Sequence, residues 1–212
     1  DSAPAENAPA APAHPVVRPV PAPFNSLVGR DSELAEIDRL VAAGARMVTL
    51  VGPGGIGKSR LALEAAGRAS ALHPGQVAFV SLETVNDPDA VLPTIAASIG
   101  LGLDGGVPAL DALERAFGER SFVLVVDNFE QVLPAAAQVA ELLSRCPGLT
   151  VVVTSRAALR IRAETLLPVG PLSLPSSERS DSAAVQLFVE RAQGVRPGFT
   201  LDDPAEAAAV AA

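Results

Sequence analysis

The sequence predicts a three-layer α/β sandwich built on a parallel central sheet. Three observations carry that prediction. Short apolar runs alternate with stretches of helical periodicity, the pattern of parallel strands joined by crossover helices. Hydrophobic residues make up 49% of the 212 and charged residues 19%, enough material for a buried core. The first apolar run leads through a glycine-rich turn directly into a helical pattern, the kind of connection that open α/β sheets place at their ligand-binding edge.

The elements follow in order. Residues 1–23 hold seven of the 19 prolines, mixed with alanine, and read as an extended, partly polyproline-II linker. The folded part is expected to begin near Phe24. Asp31 is the expected N-cap of a helix that sets Leu34, Ile37, Leu40 and Val41 on one face and stops at Gly44. Met47 to Val51 reads as a buried strand, followed by the glycine-rich turn and a helix from Lys58 to about Ala71. Val77 to Leu82 reads as a second strand. Asp87 caps a helix that opens on Pro88 and runs to about Ile99. Residues 100–106 read as a loop, Ala109 to Phe117 as a short helix, and Phe122 to Val126 as a third strand ending at Asp127. A helix from Pro134 to Ser144 comes next, then a fourth strand from Leu149 to Val153 and a short fifth from Leu166 to Val169. Ser182 to Gln193 and the stretch from Asp203 onward read as helices.

Composition narrows the function classes. Aromatics are 3%, with no Trp or Tyr, so Ala, Val, Leu and Ile must build the core. A single cysteine, Cys146, and two histidines can form neither an internal disulfide nor a Cys/His zinc site. This usage fits a reducing, cytoplasmic setting. The net charge of −8 argues against this segment gripping nucleic acid by itself. No apolar run reaches the roughly 18 residues of a membrane span. Asp1 opens the chain and Ala212 closes it inside a helical pattern, so it reads as a piece of a longer protein. Of the 16 basic residues 15 are arginine, and the one lysine, Lys58, lies inside GPGGIGKS.

That segment, residues 52–59, matches GxxxxGK(S/T). Glycines let the backbone curl until successive amide N–H groups face one anion, and the helix that follows adds the positive end of its dipole. Lys58 is placed to bridge terminal phosphates, and the Ser59 hydroxyl to ligate Mg2+. The fold class thus sharpens to a P-loop NTPase sandwich. The alternative, a glycine turn matching by chance, does not explain the strand before it or the helix after it.

Two further segments end strands at the same edge. VLVVDNFE, residues 123–130, puts Asp127 at a strand terminus, where it can hold Mg2+ from the side opposite Ser59. Many ATPases of this type carry Glu directly after that acid, to orient the attacking water. Here the residue is Asn128, whose amide is a poor base, and Glu130 lies beyond a turn in an unspecified direction. Slow hydrolysis, suited to a switch more than to a motor, is the expectation. VVVTSR, residues 151–156, places Thr154 and Arg156 just past the next strand, where Arg156 can pair with a γ-phosphate.

With these segments and the opening LVGRDSEL, residues 27–34, the chain resembles the nucleotide-binding domain of STAND-class, NB-ARC-like P-loop NTPases. That group includes plant resistance proteins, apoptosome scaffolds and bacterial regulators. The likeness is greatest to the bacterial regulators, among them large Streptomyces antibiotic regulatory proteins (SARP) and LuxR-type activators, and it covers about Phe24 to Ala212. It implies that Val28 and Arg30 line an adenine pocket. It implies that Gly52, Pro53, Gly54, Gly55, Ile56, Gly57, Lys58, Ser59 and the adjoining Arg60 bind the nucleotide. Lys58 and Asp127 would be catalytic, Ser59 and Asp127 would hold the metal, and Arg156 would act as first sensor. The implied strand order puts the Arg156 strand between the phosphate-loop strand and the Asp127 strand. Residues 24–175 would form the nucleotide-binding domain, and 176–212 would begin a small helical, ARC-like subdomain. The family's later GLPLA-like segment, whose proline touches adenine, is absent, and the choice of adenine over guanine rests on the resemblance.

The expected cofactors are therefore ATP or ADP and Mg2+. The expected activity is a weak Mg2+-dependent ATPase whose nucleotide state controls an attached effector. Expected partners are nucleotide, other domains of the same chain, DNA only through a separate domain, and no membrane; self-association stays open. Two other readings compete: a small-molecule P-loop enzyme such as a kinase, for which no acceptor pocket or base stands out, and an interaction scaffold without nucleotide, against which Lys58, Ser59 and Asp127 speak. His14, His73 and Cys146 read as structural or solvated. Ser81, Glu83 and Asp87 approach the ligand edge without an assigned role.

Overall fold

The computed structural model describes residues 17–23, 25–103, 106–173 and 182–201. Five parallel strands form the middle layer: β1 (Met47–Val51), β2 (Val77–Ser81), β3 (Phe122–Asp127), β4 (Leu149–Ser155) and β5 (Glu164–Pro168). Their order is β2-β3-β4-β1-β5, so the strand carrying Thr154 does sit between the phosphate-loop strand and the Asp127 strand.

Strand alternation feeds two cores. Met47 of β1, Leu124 and Val126 of β3, and Val151 and Val153 of β4 face one side. There they pack under α3 (Val91–Ser98), α4 (Ala109–Phe117) and α5 (Ala136–Arg145). Val48 and Leu50 of β1, Val125 and Val152 face the other side, under α1 (Asp31–Ala42) and α2 (Lys58–Leu72). Both faces of the sheet are covered, which is why the strands read as nearly continuous apolar runs.

Several boundaries differ from the expectation, each for a local reason. Asp31 is not the cap of α1. The carbonyl of Arg30 accepts the first helical hydrogen bond, from Leu34 N at 3.0 Å, so Asp31 is the first helical residue and joins Glu33 in favouring the helix dipole. Asp87 does cap, accepting from the Asp89 amide, but what it opens is a 3₁₀ turn, Pro88–Ala90, that passes into α3. The helix expected from Pro134 begins at Ala136. Before it runs a 3₁₀ stretch, Phe129–Ala135, interrupted by non-helical Val132 and containing Pro134. β4 continues to Ser155, because Leu50 and Val51 of β1 pair with Thr154 and Ser155. Thr154 thus lies inside the strand. β5 starts two residues earlier than expected, and Val169 still donates its amide to the Val51 carbonyl at 2.7 Å.

The last described helix, α6 (Ala183–Val195), is capped by Ser182, whose hydroxyl accepts from the Val185 amide. The stretch from Asp203 and most of the Pro/Ala-rich segment lie outside the described residues. The described end of that segment is not a free spacer, since Val17 packs against one core and Val20 against the other.

Candidate nucleotide site

The site lies where β1, β3 and β4 end. After β1 the chain turns through Gly52 to Gly57 and enters α2. Gly55 and Gly57 hold φ of +76° and +98°, which only glycine adopts without strain. Gly52 answers a different need. A Cβ there would stand 2.6 Å from the Val169 carbonyl oxygen, so the loop can run alongside the end of β5 only without a side chain. The first turn of α2 carries no acidic residue and no side-chain cap, which leaves its amide N–H groups for an anion.

Lys58 is only 7% exposed and folds into the loop, donating to the carbonyls of Gly52 and Pro53 at 2.8 Å each. An ammonium has three donors, so one remains beyond these two bonds. Arg60 points away from this centre, pairing with Glu64 at 3.0 Å and donating to the Asn25 carbonyl.

The acid edge is wired across strands. Asp127, at 6% exposure, accepts a hydrogen bond from the Thr154 hydroxyl at 2.5 Å. The same Thr154 oxygen accepts from the Asn128 amide at 2.9 Å. One buried hydroxyl thus orients the carboxylate and fixes the turn after it, where Asn128 adopts a left-handed φ of +65°. Gly52 N donates to the Ser155 carbonyl at 3.4 Å, tying the loop to the end of β4. Since β4 lies between β1 and β3, Asp127 and the loop stand two strand spacings apart, about 10 Å, across Thr154. Arg156, 67% exposed, pairs through Nε with Glu130 Oε1 at 3.1 Å, and its guanidinium lies against Gly54.

A cavity adjoins the loop. It measures about 410 Å³ and is lined by Val28 and Arg30 of the opening motif, by Gly55, Ile56, Gly57 and Arg60, by Pro171 and Leu172, and by Ala184, Leu187 and Arg191 of α6. Gly29 makes this approach possible: a Cβ on it would collide with that of Ala183. Arg30 lines the cavity, but its guanidinium is committed elsewhere. It donates to the carbonyls of Ile56 at 3.0 Å and Gly170 at 2.7 Å and pairs with Glu33 at 2.5 Å. Burial would raise the Glu33 pKa, but hydrogen bonds from Arg30 and Ser32 outweigh it and hold the carboxyl below its ordinary value. Arg30 therefore shapes the pocket by anchoring the phosphate loop to the segment after β5.

The structure brings together at one edge Gly52 to Ser59, Asp127 and Arg156, and sets Val28 and Arg30 beside them. Sequence reasoning missed the bridging part of Thr154 and the direction of Glu130. The register of the third and fourth strands was the only available signal for either. Asp87 is occupied as a cap, and Ser81, paired in register with Asp127, accepts from the Glu83 amide at 3.4 Å. Cys146 is buried, and burial, with the charge of Glu114, pushes its thiol up to about 11; it is no nucleophile.

Against known proteins, a family model described as AAA domain matches residues 41–161, more than half of the chain. A Mycobacterium tuberculosis protein named as an HTH-type transcriptional regulator is 40% identical over 164 residues, covering 77% of this chain and 18% of its own length. An uncharacterized protein of the same organism is 36% identical over 180 residues, covering 84% of this chain and 44% of its own length. The chain thus spans less than half the length of these relatives. Among solved structures, Cdc6p from Pyrobaculum aerophilum superimposes with a TM-score of 0.56 at 15% identity, over 84% of this chain and 53% of that one, a likeness of fold alone. Among the described residues no helix is long and apolar enough to cross a membrane.

Proposed function

Given that the chain belongs to the AAA domain family, we propose that it is the ATP-binding, slowly hydrolysing switch domain of a transcriptional regulator. The observation that carries the nucleotide part is the loop itself. Glycine-turned backbone delivers free amides onto the N-terminus of α2, with the lone lysine folded inside. ATP is then cradled from Gly52 to Ser59, and its base enters the cavity beside Val28 under α6.

The residues fit Mg2+. The Ser59 hydroxyl and the Asp127 carboxylate are hard oxygen donors, and Thr154 orients the carboxylate as an outer partner. Among the described residues no cluster of three or more His, Cys, Asp or Glu side chains forms, so phosphate oxygens and water would complete the shell, the usual mode for a nucleotide-bound magnesium. When bound, the ion neutralises charge developing on the β- and γ-phosphates. Lys58 adds its remaining N–H toward the same oxygens.

The switching part rests on α6. It lines the same cavity as the phosphate loop, so a nucleotide held there touches both, and its presence biases how the helical segment sits on the sheet. The name of the HTH-type relative supports an attached DNA-binding domain. NB-ARC-like organisation of the SARP or LuxR kind, with residues 176–212 opening a helical subdomain, is part of the same proposal. So are a cytoplasmic setting, control of the effector by nucleotide, and self-association as one form the assembled state can take.

Equilibrium titration with fluorescent ATP, on the wild-type chain and on Lys58→Ala, is the test. Saturable Mg2+-dependent binding that the variant loses supports the reading. Equal and negligible binding by both returns the protein to the scaffold class.

A further inference from the structure

Glu130 sits three residues beyond Asp127, at the start of the 3₁₀ stretch, and is 15% exposed. Its Oε1 accepts from Arg156 Nε at 3.1 Å, while its Oε2 is buried with no hydrogen-bond partner. An unpaired buried acceptor costs free energy, and among the described residues nothing supplies a donor to this oxygen. The partner is equally placed. A Cβ on Gly54 would stand 3.2 Å from Arg156 Nη2 and 3.3 Å from its Cζ, so the guanidinium reaches from Glu130 to the backbone of the phosphate loop. Asn128, the residue next to the metal-side acid, has an amide side chain that is a poor base, and its own N–H is spent on Thr154.

We propose that Glu130 is the catalytic carboxylate that orients the attacking water, and that Arg156 restrains it until a γ-phosphate draws the guanidinium away. The inference rests on the reading of the loop as an ATP site. The restraint is weak by construction, since a pair with one partner two-thirds exposed contributes little. A γ-phosphate at the loop offers Arg156 more charge and a bidentate geometry. With the guanidinium turned to the phosphate, both Glu130 oxygens are available. The water oxygen then forms a bond to the γ-phosphorus as the bond to the β–γ bridging oxygen breaks, that electron pair leaving on ADP. The proton of the water passes to Glu130 and from there to solvent. ADP lacks the γ-phosphate and leaves the pair closed, so the pair distinguishes the two nucleotides.

The test uses the full chain with Mg2+, two equilibrium affinities (a non-hydrolysable ATP analogue and ADP) and single-turnover hydrolysis of ATP. Glu130→Gln should raise the analogue-to-ADP affinity ratio about 2- to 5-fold, the worth of an exposed ion pair, because Arg156 no longer leaves a charged partner. The same change should slow single-turnover hydrolysis by about 100-fold or more, the scale of a lost general base. Arg156→Ala should abolish the preference for the analogue. Glu130→Asp keeps the charge and shortens the reach; it should still lose hydrolysis and should raise the ratio no further than Glu130→Gln does, because the shorter carboxylate holds Arg156 less closely, and it carries the test if Glu130→Gln fails to fold. An unchanged ratio in Glu130→Gln, or wild-type hydrolysis in either Glu130 variant, overturns the proposal while the ATP site stands. Absence of binding by the wild type overturns the ATP site and the proposal with it.

Discussion

The phosphate loop is one contiguous segment between β1 and α2, whereas the acid edge is gathered from the ends of β3 and β4 and the turn that follows β3. In the loop the backbone does the work: amides, carbonyls and glycine torsions, with Lys58 tied to Gly52 and Pro53 by main-chain oxygens. At the acid edge side chains do it: Thr154 on Asp127, Arg156 on Glu130. The first device depends on spacing along the chain. The second depends on register between strands, and so on every core contact that holds the sheet. A contiguous loop is rigid in composition, since few residue types fit its torsions. A cross-strand constellation is adjustable, and it is there that this chain departs from the acid pair expected after the third strand.

The sharpest break in that comparison is Lys58→Ala. It removes a charge-assisted contact that nothing else in the loop can replace, and should weaken ATP binding about 10- to 100-fold in a fluorescence titration. Gly52→Ala attacks the same loop through sterics. The added methyl meets the Val169 carbonyl at 2.6 Å, and a backbone oxygen cannot step aside as a side chain can. The expected loss is about 1–3 kcal/mol in chemical denaturation, the usual cost of overpacking. Gly54→Ala is the control: the atoms it meets belong to the Arg156 guanidinium, which is free to swing, so stability should change far less.

This contrast also explains what was legible in advance. Strand identity and the helices Lys58–Leu72 and Ala109–Phe117 follow from local apolar periodicity, and the loop from a spacing that only a phosphate cradle demands. The covered faces agree with expectation as well, and β4 lies between β1 and β3 as the family resemblance implies. What local pattern could not give is anything decided across the sheet. β4 runs two residues past its apolar run because its end is set by pairing with Leu50 and Val51, not by its own composition. Asp31 looked like a cap because its type suits one, while the hydrogen bonds begin at Arg30, whose side chain is anchored to Ile56 and Gly170 far along the chain. Arg30 is a base-pocket residue only by resemblance; what the structure shows is an anchor. The direction of Glu130 depends on Arg156, across the β3–β4 boundary.

Thr154→Val sharpens the comparison from the acid side. The change keeps the shape and deletes one hydroxyl, leaving Asp127 without a donor and the Asn128 amide without an acceptor in a buried setting. The expected cost is about 1–3 kcal/mol, the desolvation of groups left unpaired. More telling is the Mg2+ concentration for half-maximal ATP binding, which should rise while the magnesium-free affinity stays put, because the loop is untouched. A fall in both would mean that loop and acid edge are not separable devices.

The smallest effect, and the most discriminating, belongs to Asn128→Glu. This change restores the acid pair common among related ATPases, and if the missing base at 128 limits turnover the rate should rise. The local geometry opposes that. Position 128 holds φ of +65°, a conformation asparagine tolerates better than glutamate, and its amide is bound to Thr154. The substitution should therefore cost about 1 kcal/mol of stability, the lower end of the left-handed penalty, with no gain in single-turnover rate. With Glu130 as the water-orienting group, a second carboxylate beside Asp127 adds repulsion and no chemistry. A several-fold acceleration would instead assign the water to position 128, and the unpaired oxygen of Glu130 would need another explanation.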